Sequence, residues 1–139
     1  MAVPVSPNTT MSTTFLWQIL VVGVGGFLGS VARFLLSGFV HRLLPPTFPY
    51  GTLIVNLAGC LAIGFLGGLL QFRSLLGPSQ RLFLLIGFLG GFTTFSTFAY
   101  ETLTLAQGSE FLKAAFNIAA HVMLGLTAAW LGYFSAQNL

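Results

Sequence analysis

Four long apolar stretches alternate with short polar ones along the chain. They run from about Phe15 to Val40, Tyr50 to Phe72, Leu82 to Leu105 and Phe111 to Tyr133, and each exceeds the roughly 20 residues with which a helix crosses about 30 Å of hydrocarbon. The separators break helices. His41, Arg42 and the PPTFP stretch from Pro45 to Pro49 close the first, and Arg73, Gly77 and Pro78 close the second, because proline removes a donor and fixes the backbone. Trp130 and Tyr133 end the fourth, where amphipathic rings suit a membrane interface. The pattern predicts an all-α membrane protein: a single domain over 15–139 with four transmembrane helices, joined by connections short enough to make consecutive helices antiparallel neighbours. Residues 1–14 are rich in Pro, Ser and Thr and lack Lys and Arg, so they read as a frayed tail without the positive end of a secretory signal.

Composition narrows the function. Of 139 residues 55% are hydrophobic and 5% charged, and mean hydropathy is +0.92, whereas soluble domains carry about 25% charged residues. Glu101 and Glu110 are the two acids and Asp is absent, which leaves almost no room for carboxylate-pair catalysis. With no HExxH, Walker loop or Ser/His/Asp set, no enzyme is expected. The net charge of +3 comes from five scattered cations, not from a basic face, so no nucleic-acid partner is expected. Cys60, alone in an apolar run, reads as a packing residue. Orientation is set by Lys and Arg asymmetry between loops. Here Arg73 and Arg81 stand on one side against Arg42 and Lys113 on the other. A balance of two against two predicts insertion both ways up, hence a dual-topology, antiparallel homodimer.

Glycine is abundant, with 17 residues. Gly25 and Gly29, Gly64 and Gly68, and Gly87 and Gly91 each make a GxxxG pair, a spacing that lets membrane helices approach closely and carries no function by itself. In the third span Gly87, Gly90 and Gly91 lead straight into Thr93, Thr94, Ser96 and Thr97. Glycine and β-branched residues both weaken a helix, so a break of the third helix near mid-bilayer is predicted. Irregular backbone survives there only when buried in protein or lining a wet cavity. The carbonyls freed near Gly90 and Thr93 are hard oxygen ligands that suit a cation such as Na⁺.

Beyond that point Phe95 and Phe98 share a helix face. A phenyl edge is positive, so rings presented edge-on attract an anion. Thr52, Asn56 and Gly59 form a polar stripe on the second span. The Asn56 amide must face protein or water, either as a pore donor or as a helix–helix hydrogen bond. Thr94, Ser96 and Thr97 add hydroxyls. On the fourth span Asn117 and His121 lie four apart on one face, either lining the same path or making ordinary inter-helix bonds. Arg33, near a span end, can snorkel to the interface and form an anion-attracting vestibule. A charged His121 would attract anions and make conduction pH-dependent. The role of Glu101 is open.

Taken together, GGFLGSVARF from Gly25 to Phe34, YGTLIVNLAGC from Tyr50 to Cys60 and GFLGGFTTFSTFAYE from Gly87 to Glu101 resemble the Fluc (CrcB) fluoride channels over all four spans. The resemblance implies a passive, fluoride-selective channel that exports cytoplasmic fluoride across the inner membrane. It implies a double-pored antiparallel homodimer in the lipid bilayer, with a central structural Na⁺ on the carbonyls of Gly90 and Thr93. By motif position Phe95 and Phe98 are the fluoride-facing rings and Asn56 the pore asparagine. The fourth span departs from the family, which often carries hydroxyl residues where Asn117 and His121 stand. The alternative is a small multidrug-resistance-type proton-coupled exporter, also four-spanned and dual-topology. It needs a membrane-embedded glutamate in the first span, and residues 1–32 carry no charge.

Overall fold

The structure, a computed structural model, describes residues 13–73 and 76–138. Among these all regular structure is helical: α1 Thr13–Leu43, α2 Tyr50–Arg73, α3 Pro78–Arg81, a π-helical segment Leu82–Leu89, α4 Gly90–Phe92, α5 Phe95–Gln107 and α6 Phe111–Gln137. Four spans are long and apolar enough to cross a membrane, namely Thr13–Leu43, Tyr50–Arg73, Pro78–Gln107 and Phe111–Gln137. They coincide with the four apolar stretches and extend them by at most four residues at either end. Residues 1–12 of the expected tail lie outside the described residues, and Thr13 and Thr14 already belong to α1.

Large side chains cover the outside of the bundle, as lipid requires, and the helices meet through bare backbone. The residues that α1 buries are Gly25, Gly29 and Val40. A Cβ on Gly25 would stand 2.6 Å from the Phe83 carbonyl oxygen, one on Gly29 would overlap the Phe88 carbonyl, and one on Gly91 would strike the Gly26 carbonyl. The first and third spans therefore cross with main chains almost touching, the use that GxxxG spacing serves in membranes. A second seam joins α2 to α6, where a Cβ on Gly64 would overlap the Ala129 carbonyl and one on Gly132 the Leu61 carbonyl. Between the seams Val55, Leu89 and Phe92 form a small buried core under the end of α4. Gly108 and Ser109, the latter with φ 61°, turn α5 back into α6, where Glu110 N–H donates to Leu105 O at 2.9 Å.

Gly29→Ala should drive a methyl into the Phe88 carbonyl and destabilise the protein by about 1–3 kcal/mol, the usual cost of overpacking. Gly23→Ala, whose Cβ meets nothing within 4 Å, should be neutral. Thermal unfolding in detergent followed by circular dichroism checks the pair, and equal melting of Gly29→Ala and wild type would contradict the seam.

Candidate functional site

Helical geometry lapses in the third span at two residues. Thr93 (φ −82°, ψ 158°) follows α4, and Thr94 (φ −151°, ψ 113°) precedes α5. Thr93 stays tied to the turn before it, donating to Leu89 O from its N–H at 3.0 Å and from its hydroxyl at 2.9 Å. Thr94 does not. Its N–H, which in a continuous helix would reach Gly90 O, donates instead to Asn56 Oδ1 at 2.8 Å. Asn56 Nδ2 in turn donates to Thr94 O at 3.0 Å. One amide thus satisfies both main-chain groups of a buried residue, each of which would cost about 1–3 kcal/mol if left unpaired.

The rest of the α2 stripe serves the same seam. One turn earlier Thr52 Oγ1 donates to Glu101 Oε1 at 2.7 Å. One turn later Gly59 makes room for the Thr93 methyl, which a Cβ would overlap. The Thr94 hydroxyl caps α5 by accepting from Thr97 N at 3.3 Å, and it lies 2.9 Å from the Thr97 hydroxyl and 3.3 Å from that of Ser96. This is the preferred role of threonine at a helix start.

Two grooves flank the extended pair. The first, of about 420 Å³, is lined by Asn56, Gly90, Thr93, Phe95, Phe98 and His121. The rings of Phe95 and Phe98 stand 5.4 Å apart and tilted at 56°, and the centroid of Phe98 lies 4.3 Å from that of the His121 ring. The second groove, of about 560 Å³, is lined by Ser30, Arg33, Ser37, His41 and Thr97, with Thr94 facing both. Arg33 Nη1 approaches Thr93 O and Ser30 Oγ approaches Gly91 O, each at 3.5 Å. The interruption therefore has an aromatic side and a basic, hydroxyl-bearing side.

Asn56, Phe95, Phe98, Thr94, Gly90, Thr93 and His121 meet at one place, and Arg33 and Thr97 meet at the adjoining one. Asn117 and Ser96 line neither groove. Asn117 is fully buried behind His121, where its Nδ2 donates to Thr102 Oγ1 at 2.8 Å and its carbonyl lies 3.0 Å from His121 Nδ1. Ser30, Thr102 and the Thr52–Glu101 contact were missed by sequence reasoning. The four-residue step from Thr52 to Asn56 places both on one face, but the partner of Thr52 lies 49 residues away. Glu101 Oε2, Asn117 Oδ1 and His121 Nε2 are buried without a hydrogen-bond partner among the described residues. Among the described residues no three His, Cys, Asp or Glu side chains cluster as metal ligands, which leaves main-chain, hydroxyl and amide oxygens as the donors a cation would meet at this site. Gly90 is open on its outer side, and its carbonyl has lost the Thr94 amide to Asn56.

Residues 20–133 match the family described as CrcB-like protein, Camphor Resistance (CrcB). A protein of Nitratidesulfovibrio vulgaris strain Miyazaki F, named fluoride-specific ion channel FluC, is 47% identical over 115 residues, 83% of this chain and 93% of the relative. A Sulfurovum protein of the same name is 47% identical over 123 residues, 88% of this chain and 96% of its own length. One from Geobacter sulfurreducens, also so named, is 46% identical over 121 residues, 87% and 98% of the two chains.

Asn56→Ala leaves both Thr94 main-chain groups without their partner and should lower stability by at least about 2 kcal/mol. Asn56→Asp keeps an acceptor for the N–H but sets a carboxylate oxygen against Thr94 O, and should be at least as damaging. Denaturant titration in mixed micelles reads both, and wild-type stability of Asn56→Ala would refute the clamp.

Proposed function

The chain belongs to the CrcB family, and we propose that it is a passive fluoride channel in which the groove beside Asn56, Phe95 and Phe98 carries the ion. It is a multi-pass membrane protein, and as a member of a family of ion channels it is not an enzyme. The observation that carries the reading is the Asn56 clamp. A primary amide has two N–H donors. Because Oδ1 must accept from Thr94 N and one Nδ2 hydrogen must go to Thr94 O, the second hydrogen is held in a fixed direction in a groove that Asn56 lines.

Fluoride holds its water tightly, so a conducting site must replace that shell without trapping the ion. The fixed amide hydrogen and the positive edges of Phe95 and Phe98 supply partners of moderate strength, and His121 lines the same groove. Among the described residues no Lys or Arg lines this groove. Arg33 stands in the adjoining one, where a vestibule can gather anions without binding them in the pore. Thr94 extends the polar edge, with the Ser96 and Thr97 hydroxyls 3.3 and 2.9 Å from its own, and the main-chain carbonyl of Asn117 holds His121. On this reading Thr93 and Thr94 form the break of the third transmembrane helix.

The assembly is an antiparallel homodimer with two pores in the inner membrane. Its supports are the even split of loop cations and the 79% exposure of Phe95 on the single chain, which leaves a pore-lining ring in need of a second surface. The carbonyls of Gly90 and Thr93, doubled by a second copy, would hold a structural Na⁺. The ion would offset anion repulsion and pin the interrupted spans. Fluoride that enters a cell as the neutral acid and dissociates inside would leave by this route.

Purified protein in liposomes should release fluoride to an electrode and retain chloride, and Phe95→Ile should lower the fluoride rate by at least about tenfold if the ring edge contributes as much as about 1.4 kcal/mol. Equal release of both halides would defeat the assignment. A cysteine near the C-terminus should be labelled by an impermeant reagent from both faces of the native membrane, and labelling from one face alone would defeat dual topology. Complete replacement of Na⁺ by a large organic cation should dissociate the dimer.

A further inference from the structure

His121 differs from the other groove residues because its two ring nitrogens have different surroundings. Nδ1 stands 3.0 Å from Asn117 O. A carbonyl only accepts, so Nδ1 carries a hydrogen whatever the charge on the ring. A neutral imidazole has a single N–H, and with that hydrogen committed to Nδ1 its Nε2 is a bare lone pair. Nε2 is buried and has no hydrogen-bond partner among the described residues, and its ring packs 4.3 Å from Phe98 inside the groove lined by Asn56 and Phe95. The acceptor is the main-chain carbonyl of Asn117, one helical turn before His121, on a residue that is itself fully buried.

We infer that His121 Nε2 is an anion contact that works only when protonated: a lone pair repels the passing ion, and the imidazolium N–H donates to it. The inference rests on the proposed fluoride path and adds regulation to it, with flux rising as pH falls. Other titratable groups face this region. Cys60 on α2 lines the same groove. Glu101 on α5, one turn beyond Phe98, is held by Thr52. Within α6 itself Lys113 lies two turns away and pairs with Glu110 at 2.8 Å. Glu101 is the competitor, since loss of its charge would also favour an anion.

Fluoride current through planar bilayers separates the two, because it counts only the charged species. Wild-type current at fixed fluoride should rise about tenfold from pH 8 to pH 5, a change of the size that a charge-assisted hydrogen bond supplies. In His121→Gln, whose amide donor does not titrate, the current–pH profile should be flat, and in Glu101→Gln the slope should remain. A flat wild-type profile, or a slope that persists in His121→Gln, overturns the inference while leaving the channel assignment intact. Absence of fluoride current at every pH overturns the channel assignment itself. A second measurement needs no variant: at constant pH fluoride should enlarge the charged-imidazole ¹⁵N signal of His121 and chloride should not, since ion and proton binding are reciprocally linked. Failure of fluoride to change that signal also overturns the inference.

Discussion

An apolar bilayer offers no hydrogen bond to an exposed peptide group, so any residue that leaves helical geometry at depth needs its partners supplied by the protein. In this chain the demand falls on Thr94, and a single side chain meets it. The Asn56 carboxamide takes the N–H and serves the carbonyl, copying the donor–acceptor pair that a neighbouring peptide unit would present. The placement of Phe95 and Phe98, and the two grooves on either side, follow from holding that one residue extended.

Such a contact demands that α2 and the third span stand close and in fixed register. The glycine seams provide this. Because α1 meets the π-helical segment and α4 through backbone at Gly25, Gly29 and Gly91, the third span is held from behind without bulky side chains between. The Gly64 and Gly132 contacts hold α6 to α2 in the same way, which sets His121 across the groove from the clamp. The wide turns of Leu82–Leu89 occur where this crossing is tightest, with Phe83 and Phe88 carbonyls against glycine. A π-helical stretch spaces its carbonyls differently from an α-helix, so the main-chain oxygens that meet α1 are those of this irregular segment.

Much of the fold was legible because membrane length is written plainly in hydropathy: four apolar runs correspond to Thr13–Leu43, Tyr50–Arg73, Pro78–Gln107 and Phe111–Gln137. Spacing likewise put Thr52, Asn56 and Gly59 on one face. Their partners were beyond reach, since a four-residue period says which residues lie together and nothing about a span 38 to 49 residues away. The eight-residue π-helical segment left no trace either, as LFLLIGFL would suit an ordinary α-helix. Asn117 and His121 look equivalent on a helical wheel, yet Asn117 turns inward to Thr102 and His121 lines the groove.

Asn56 addresses the main chain of residue 94 and not its side chain. Every amino acid except proline would present the same N–H and C=O there, so the bond imposes no matching requirement between the two positions. Across descendants of a common ancestor, position 56 would be held fixed while leaving no paired changes with position 94. A contact inferred from correlated substitutions would therefore overlook the hinge on which the architecture turns, and would be drawn instead to side-chain pairs such as Thr102 with Asn117.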